Sequence, residues 1–191
     1  MRRAGLAGLA ALACAVGVVV CGACGTGIES KGDSVGIEEQ FATLLQRPDI
    51  EQAQERYLAL LGTIRAELVA RLGISAWQPD KGGPSGSACG AEFPDVGADG
   101  EVRRYSSGMS PGNIPDDRWA AAVGVVTELA ARQGFGTPGV VVDRPGDHEV
   151  SLRDAYGAEL LFGTARNTTL SISTGCHLTQ PAHQRGTPAG G

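Results

Sequence analysis

Three short stretches carry residue types and spacings that could do chemistry. Gly108-Met109-Ser110-Pro111-Gly112 spells G-x-S-x-G between a predicted strand and a predicted helix, the setting of a nucleophile elbow. Such an elbow needs the backbone N–H of the residue after the serine to hold the oxyanion, and here that residue is Pro111, which has none. Ser110 therefore belongs only to the alternative reading of the chain as a hydrolase, against a plain loop before a helix. Gly134-Phe135-Gly136-Thr137-Pro138-Gly139 spells G-x-G-x-x-G, but a helix enters it and a strand leaves it, the reverse of a dinucleotide site.

The third stretch is Asp143, Asp147, His148 and Glu149 around one predicted hairpin. Three carboxylates and an imidazole could hold a divalent cation, or His148 could serve as an acid or base in a metal-dependent enzyme. Turns at strand ends favour aspartate for reasons of their own, the four side chains alternate faces, and no known ligand spacing is matched. The expectation is accordingly of no metal and no cofactor. Asn167-Thr168-Thr169 is a glycosylation sequon by its letters only.

Stepping outward from these stretches, 191 residues with 42% apolar and 5% aromatic content are enough for one domain with appendages. Sixteen basic residues stand against 21 acidic ones, a net charge of −5. Nucleic acid is excluded as an expected partner, because neutralising phosphates needs a basic face that this inventory can hardly build.

The first residues say where the protein is sent. Arg2 and Arg3 precede a charge-free run from Ala4 to Ala23, the pattern of an export signal, here 1–23. A retained membrane span is the alternative, although Gly5, Gly8, Gly17 and Gly22 dilute the run. In both cases the arginines favour the inside and the rest of the chain faces outward. Bacterial lipoprotein signals end in a small residue before a cysteine whose thiol takes a diacylglyceryl group, and Cys14, Cys21 and Cys24 compete for that place. Cys21 follows the branched Val20, and choosing Cys14 would leave Val16 to Val20 at the start of the mature chain. Cys24 follows Ala23 and precedes a glycine-rich tether, 24–36, so it is the expected lipidation site and the expected link to the membrane. Cys21 stands where an aliphatic residue is usual in such signals, and ordinary secretion after Ala23 is the other outcome.

With Cys14 and Cys21 removed and Cys24 acylated, Cys89 and Cys176 remain in an oxidising compartment. An intramolecular disulfide is the default for two cysteines; two free thiols or a bond to another chain are the alternatives.

In the mature chain, Ile50, Ala53, Tyr57, Leu60, Leu61, Ile64, Leu68 and Leu72 recur at three and four residues, one face of a long helix ended by Gly73. A shorter helical piece around Phe41 to Leu45 precedes it across Arg47-Pro48. Pro79 to Gly100 reads as a 22-residue irregular loop, given a reason for order by Cys89. Val102 to Ser106 reads as a strand. Pro115, Asp116 and Asp117 open a second helix with the stripe Trp119, Ala122, Val123, Val126, Leu129 and Ala130, stopped by Gly134 with Phe135 folding back. Four short runs follow, at Val140 to Val142, Val150 to Leu152, Leu160 to Phe162 and Leu170 to Ile172, with connections short enough to join only antiparallel neighbours. The predicted fold is α+β: an antiparallel four- to five-stranded meander packed on one face by two amphipathic helices. It occupies 37–179, with a disordered tail at 180–191. Two helices cannot cover both faces of such a sheet, so the bare face is the expected interacting surface, whether for a ligand or for a second copy.

The succession Trp119, Gly134-Phe135-Gly136, Val140-Val141-Val142-Asp143, Pro145-Gly146-Asp147-His148-Glu149-Val150, Leu161-Phe162-Gly163 and Ser173-Thr174-Gly175-Cys176 resembles the mycobacterial LppA-like lipoproteins over roughly 37–178. An Ala-, Gly- and Arg-rich composition with two lysines agrees with a high-GC actinobacterial origin. The resemblance implies a lipid-anchored cell-envelope protein and transfers no active site. Together these readings predict a non-catalytic module on the outer side of the cell membrane that binds a lipid, a glycan or another envelope protein.

Overall fold

A computed structural model describes residues 36–189; the predicted signal segment and Cys24 lie outside them. The first helix, α1, spans Ile37–Leu45. After Pro48, Asp49 starts α2, Ile50–Leu72, with a reciprocal cap: its carboxylate accepts from the Gln52 N–H at 2.8 Å while the Gln52 side chain accepts from the Asp49 N–H at 3.2 Å. Every residue of the predicted apolar stripe, from Ile50 to Leu72, is buried, and Gly73 closes the helix in the left-handed region at φ 61°. α3, Asp116–Ala131, ends in the predicted fold-back: Phe135 N–H reaches the Ala130 carbonyl and Gly134 N–H the Ala131 carbonyl. Val125 is buried in this helix, while Trp119 and Val123 are only partly so.

The sheet contains β1 Ser85–Ala88, β2 Gly100–Pro111, β3 Gly139–Arg144, β4 Asp147–Arg153, β5 Glu159–Thr164, β6 Asn167–Ser173 and β7 His177–Leu178. Its order is β1-β2-β6-β5-β4-β3, all antiparallel, with β7 also pairing β2. The four-strand meander is therefore present as β3 to β6, and Leu160 to Phe162 lies on the interior strand β5. Seven strands replace the expected four to five. β1 reads Ser-Gly-Ser-Ala and is exposed throughout, so no apolar alternation announces it, and β7 is only two residues long. β2 runs beyond Ser106 because an irregularity between Ser106 and Met109 resets the register and lets pairing with β6 continue to Pro111.

One face of the sheet receives α2 and α3. Tyr105, Val150, Leu152, Leu160, Phe162, Leu170 and Ile172 alternate toward it and form one cluster with both helix stripes. A second, smaller cluster gathers Phe41, Leu44, Phe93, Val96, Cys176, Leu178 and Ala182. Its last member corrects the expectation of a disordered tail. Gln180–Arg185 forms α4, capped by the Thr179 hydroxyl and closed by Gly186 in the left-handed region, and Ala182 drops into this cluster. A lone small apolar residue among polar ones leaves no periodic signal, so only the packing shows the helix.

Cys89 and Cys176 are joined by a disulfide, with Cα atoms 5.4 Å apart. The expected irregular loop thus contains a short strand, β1, and a turn of 3-10 helix at Gly97–Asp99, and is stapled to the chain just after β6. A loop of this length restricts the unfolded chain by about 4 to 5 kcal/mol in the entropy model.

Candidate functional site

At the end of the sheet away from β7, the register aligns Ser110, Thr168, Thr164, His148 and Asp143 across five strands on the helix-bearing face. Buried hydroxyls in such a row must find partners, and they do. Thr164 Oγ1 accepts from the Ile114 N–H at 2.8 Å and lies 3.0 Å from Thr168 Oγ1, which donates to the Gly112 carbonyl at 3.2 Å. Ser110, 1% exposed, donates its proton to the Ser75 carbonyl at 2.6 Å. Three strand spacings separate Ser110 from His148, roughly 14 Å. A nucleophile and its base must lie within hydrogen-bond reach, so the hydrolase alternative built on these residues has no geometry behind it. Ser110 lies within β2 rather than at a strand-to-helix turn, and Pro111 pairs with Asn167.

The predicted polar cluster divides. Asp143 and His148 face each other across β3 and β4 and meet at 2.9 Å through Nδ1. The other ring nitrogen, Nε2, meets Asp116 at 3.1 Å, a residue that the sequence reading placed only at a helix N-terminus. Asp116 also accepts from the Gly146 N–H at 2.9 Å. The imidazole lies 5.3 Å from the Trp119 ring, nearly parallel, and Trp119 stacks in turn on Phe162 at 5.0 Å. The hydrogen bond to Asp116, then the one to Asp143, raises the His148 pKa against the opposing effect of burial. Asp116 is held below the ordinary carboxylate value by the Gly146 N–H first and His148 second. The arrangement fastens the start of α3 to the β3–β4 hairpin.

Asp147 does not join this cluster; it pairs with Arg144. Glu149, one residue on from His148, points to the opposite face. Among the described residues no group of three or more His, Cys, Asp or Glu side chains is arranged to hold a metal ion.

The opposite face of β2 to β6 carries neither sheet helix. In register across it run Arg104, Ser173, Glu159 and Arg153, then Ser106, Ser171, Leu161 and Ser151, then Met109, Thr169, Gly163, Glu149 and Val142. Serines, a threonine and a glycine stand there among charged side chains and the apolar Leu161, Met109 and Val142. Beside Gly163, over which the Glu149 side chain lies, is a shallow cavity of about 290 Å³ lined by Glu149, Arg166, Asn167 and Thr169 among others. That two helices leave one face bare is legible in the sequence; which residues line it is not. The signals present were the period-two polar set Thr169, Ser171, Ser173 and a glycine inside a strand, which marks close approach.

A family model described as LppA, a lipoprotein confined to pathogenic Mycobacterium, matches residues 29–180. The fold is similar to the crystal structure of the putative lipoprotein LppA from Mycobacterium tuberculosis, with TM-score 0.52 and 18% identity over 75% of this chain and 86% of that one. It is also similar to a DUF4853 family protein from Actinomyces odontolyticus, with TM-score 0.52 and 18% identity over 71% of this chain and 72% of that one. No curated protein matches the sequence.

Proposed function

Because the chain belongs to the LppA lipoprotein family, we propose that it is a non-catalytic binding module of the cell envelope, anchored to the outer side of the membrane through Cys24 and engaging its ligand or partner with the bare face of the sheet. The observation that carries this reading is the asymmetry of the sheet: α2 and α3 bury one face into the main core, and the other presents three registered rows in which hydroxyl and charged side chains alternate with a few apolar ones. A glycan, a lipid headgroup or another envelope protein would each meet that surface with polar groups. The charge-free run ending at Ala23 and the glycine-rich segment after Cys24 supply the anchor and a tether.

Two experiments test the reading. Cys24→Ser should move the protein from the membrane fraction to the soluble one; if the variant stays membrane-bound with Cys14 or Cys21 acylated, the anchor is wrong. A photo-crosslinking residue at Ser171, on the bare face, should give adducts in intact cells that the same residue at the exposed Leu58 of α2 does not. Equal labelling from both positions, or none from Ser171, removes the bare face as the interacting surface.

A further inference from the structure

The cavity beside Gly163 is lined by two charges of opposite sign, Glu149 and Arg166, that have no partner among the described residues. Glu149 pairs in register with Gly163 and lies over it, since a Cβ at Gly163 would sit 3.3 Å from the Glu149 carboxylate and 3.2 Å from the His148 carbonyl. This half-buried carboxylate makes no hydrogen bond or ion pair among the described residues, and Arg144 of the same hairpin is engaged by Asp147. In the turn between β5 and β6, the exposed Arg166 also lines the cavity and is unpaired among the described residues. Both line one space of about 290 Å³ and make no ion pair with each other.

The lining narrows the ligand's chemistry. Among the described residues no Trp, Tyr or Phe borders the cavity, and the ring of His148, which does, is stacked on Trp119, which leaves no free platform for a sugar ring or a base. Glu149 opposes a phosphate or a polyanion at the same place. The volume lies just below the roughly 300–1,000 Å³ typical of pockets for drug-sized ligands, so the occupant is small. An ammonium would satisfy Glu149 and a carboxylate would take a two-pronged bond from Arg166, with the Thr169 hydroxyl and the Asn167 amide beside them.

We propose that this cavity binds a small zwitterion, an amino acid or short peptide, with Glu149 receiving the ammonium group and Arg166 the carboxylate. The proposal rests on the reading of the bare face as the binding surface and gives that surface a ligand class.

The test uses the full lipoprotein in detergent and isothermal titration with L-alanyl-L-alanine, its N-acetylated form and its C-terminal amide. The free dipeptide should bind saturably and each capped form at least about tenfold more weakly, the cost of one lost charge-assisted contact. Glu149→Gln should erase the difference between free and N-acetylated dipeptide, and Arg166→Gln the difference between acid and amide. Absence of saturable binding at millimolar dipeptide, equal binding of the capped forms, or discrimination that survives both substitutions overturns the proposal. None of these results bears on crosslinking from Ser171, so the wider reading of the face fails or stands separately.

Discussion

The two apolar clusters of the domain are held together by different physics. The larger one is closed by periodicity: the α2 stripe from Ala53 to Leu72 and the α3 stripe meet alternate residues of β2, β4, β5 and β6. Each of these elements has enough apolar surface to fix its own orientation. The smaller one is assembled from pieces that could not do so alone: α1, the segment around Phe93 and Val96, β7 and one turn and a half of α4. Specific ties replace area there. The disulfide is one, and the Arg47 guanidinium is another, donating to the carbonyls of Tyr156 at 2.9 Å and Cys176 at 3.0 Å while lying 4.8 Å over the Phe93 ring. Gln40 and Asp95 exchange two hydrogen bonds between α1 and the stapled loop, and His177, kept neutral by burial, donates from Nδ1 to the Pro48 carbonyl. A cluster with little apolar surface depends on directional contacts; one with much of it does not.

Breaking the staple is the sharpest test of that difference. Cys89→Ser combined with Cys176→Ser should cost about 4 to 5 kcal/mol in the loop-entropy model. Amide exchange should show protection lost first in 89–99, α1 and α4, with the main cluster opening only on global unfolding. Uniform loss of protection would mean that the two clusters form one cooperative unit.

Phe162→Ala probes the other side. The fully buried ring supports Trp119 and the inner face of the sheet, and its removal should cost about 3 to 5 kcal/mol in denaturant unfolding. Protection around Cys89 and Cys176 should then fall only with the global stability.

Gly100 is where the staple touches the sheet. A Cβ there would sit 2.7 Å from Cys89 Sγ and 3.2 Å from Val96. Gly100→Ala should therefore cost about 1 to 3 kcal/mol by overpacking. In contrast, Gly124→Ala, on the exposed face of α3 with open space around it, should stabilise by about 0.5 to 1 kcal/mol. If Gly100→Ala is neutral, the disulfide is not seated against β2.

The smallest effect expected is a pH dependence at the His148 latch. Its pKa is raised on folding from an ordinary value near 6.5, so its contribution is full below that value and is lost as pH rises through the raised one. Asp116 is shifted down from near 3.8, so its share is present above that value and lost in acid. The gap in melting temperature between wild type and His148→Gln should be widest near pH 5 to 6 and narrow at pH 9, by scanning calorimetry. A gap that does not change with pH would make the contact a matter of shape rather than charge.

The sequence by itself determined what is local or repeated. Eight residues spaced along α2, Gly73 and Gly134 at two helix ends, and the short hairpin connections between Val140 and Ile172 were enough to predict an α+β fold with its meander and its one covered face. Two cysteines left once the predicted export signal and the expected lipidation site are set aside were enough to pair Cys89 with Cys176. Only the tertiary structure decided what depends on elements far apart in the chain. It brought Asp116 to His148 across 32 positions, sent Glu149 away from that histidine, and spread Ser110 and His148 over strands that do not touch. It also added β1, β7 and α4, whose few apolar residues carry no period. Periodicity is written into neighbouring residues, because each side chain's direction follows from the backbone it sits on. Which hydroxyl, carboxylate or ring meets which depends on strand order and register, and these are set by the packing of the whole sheet.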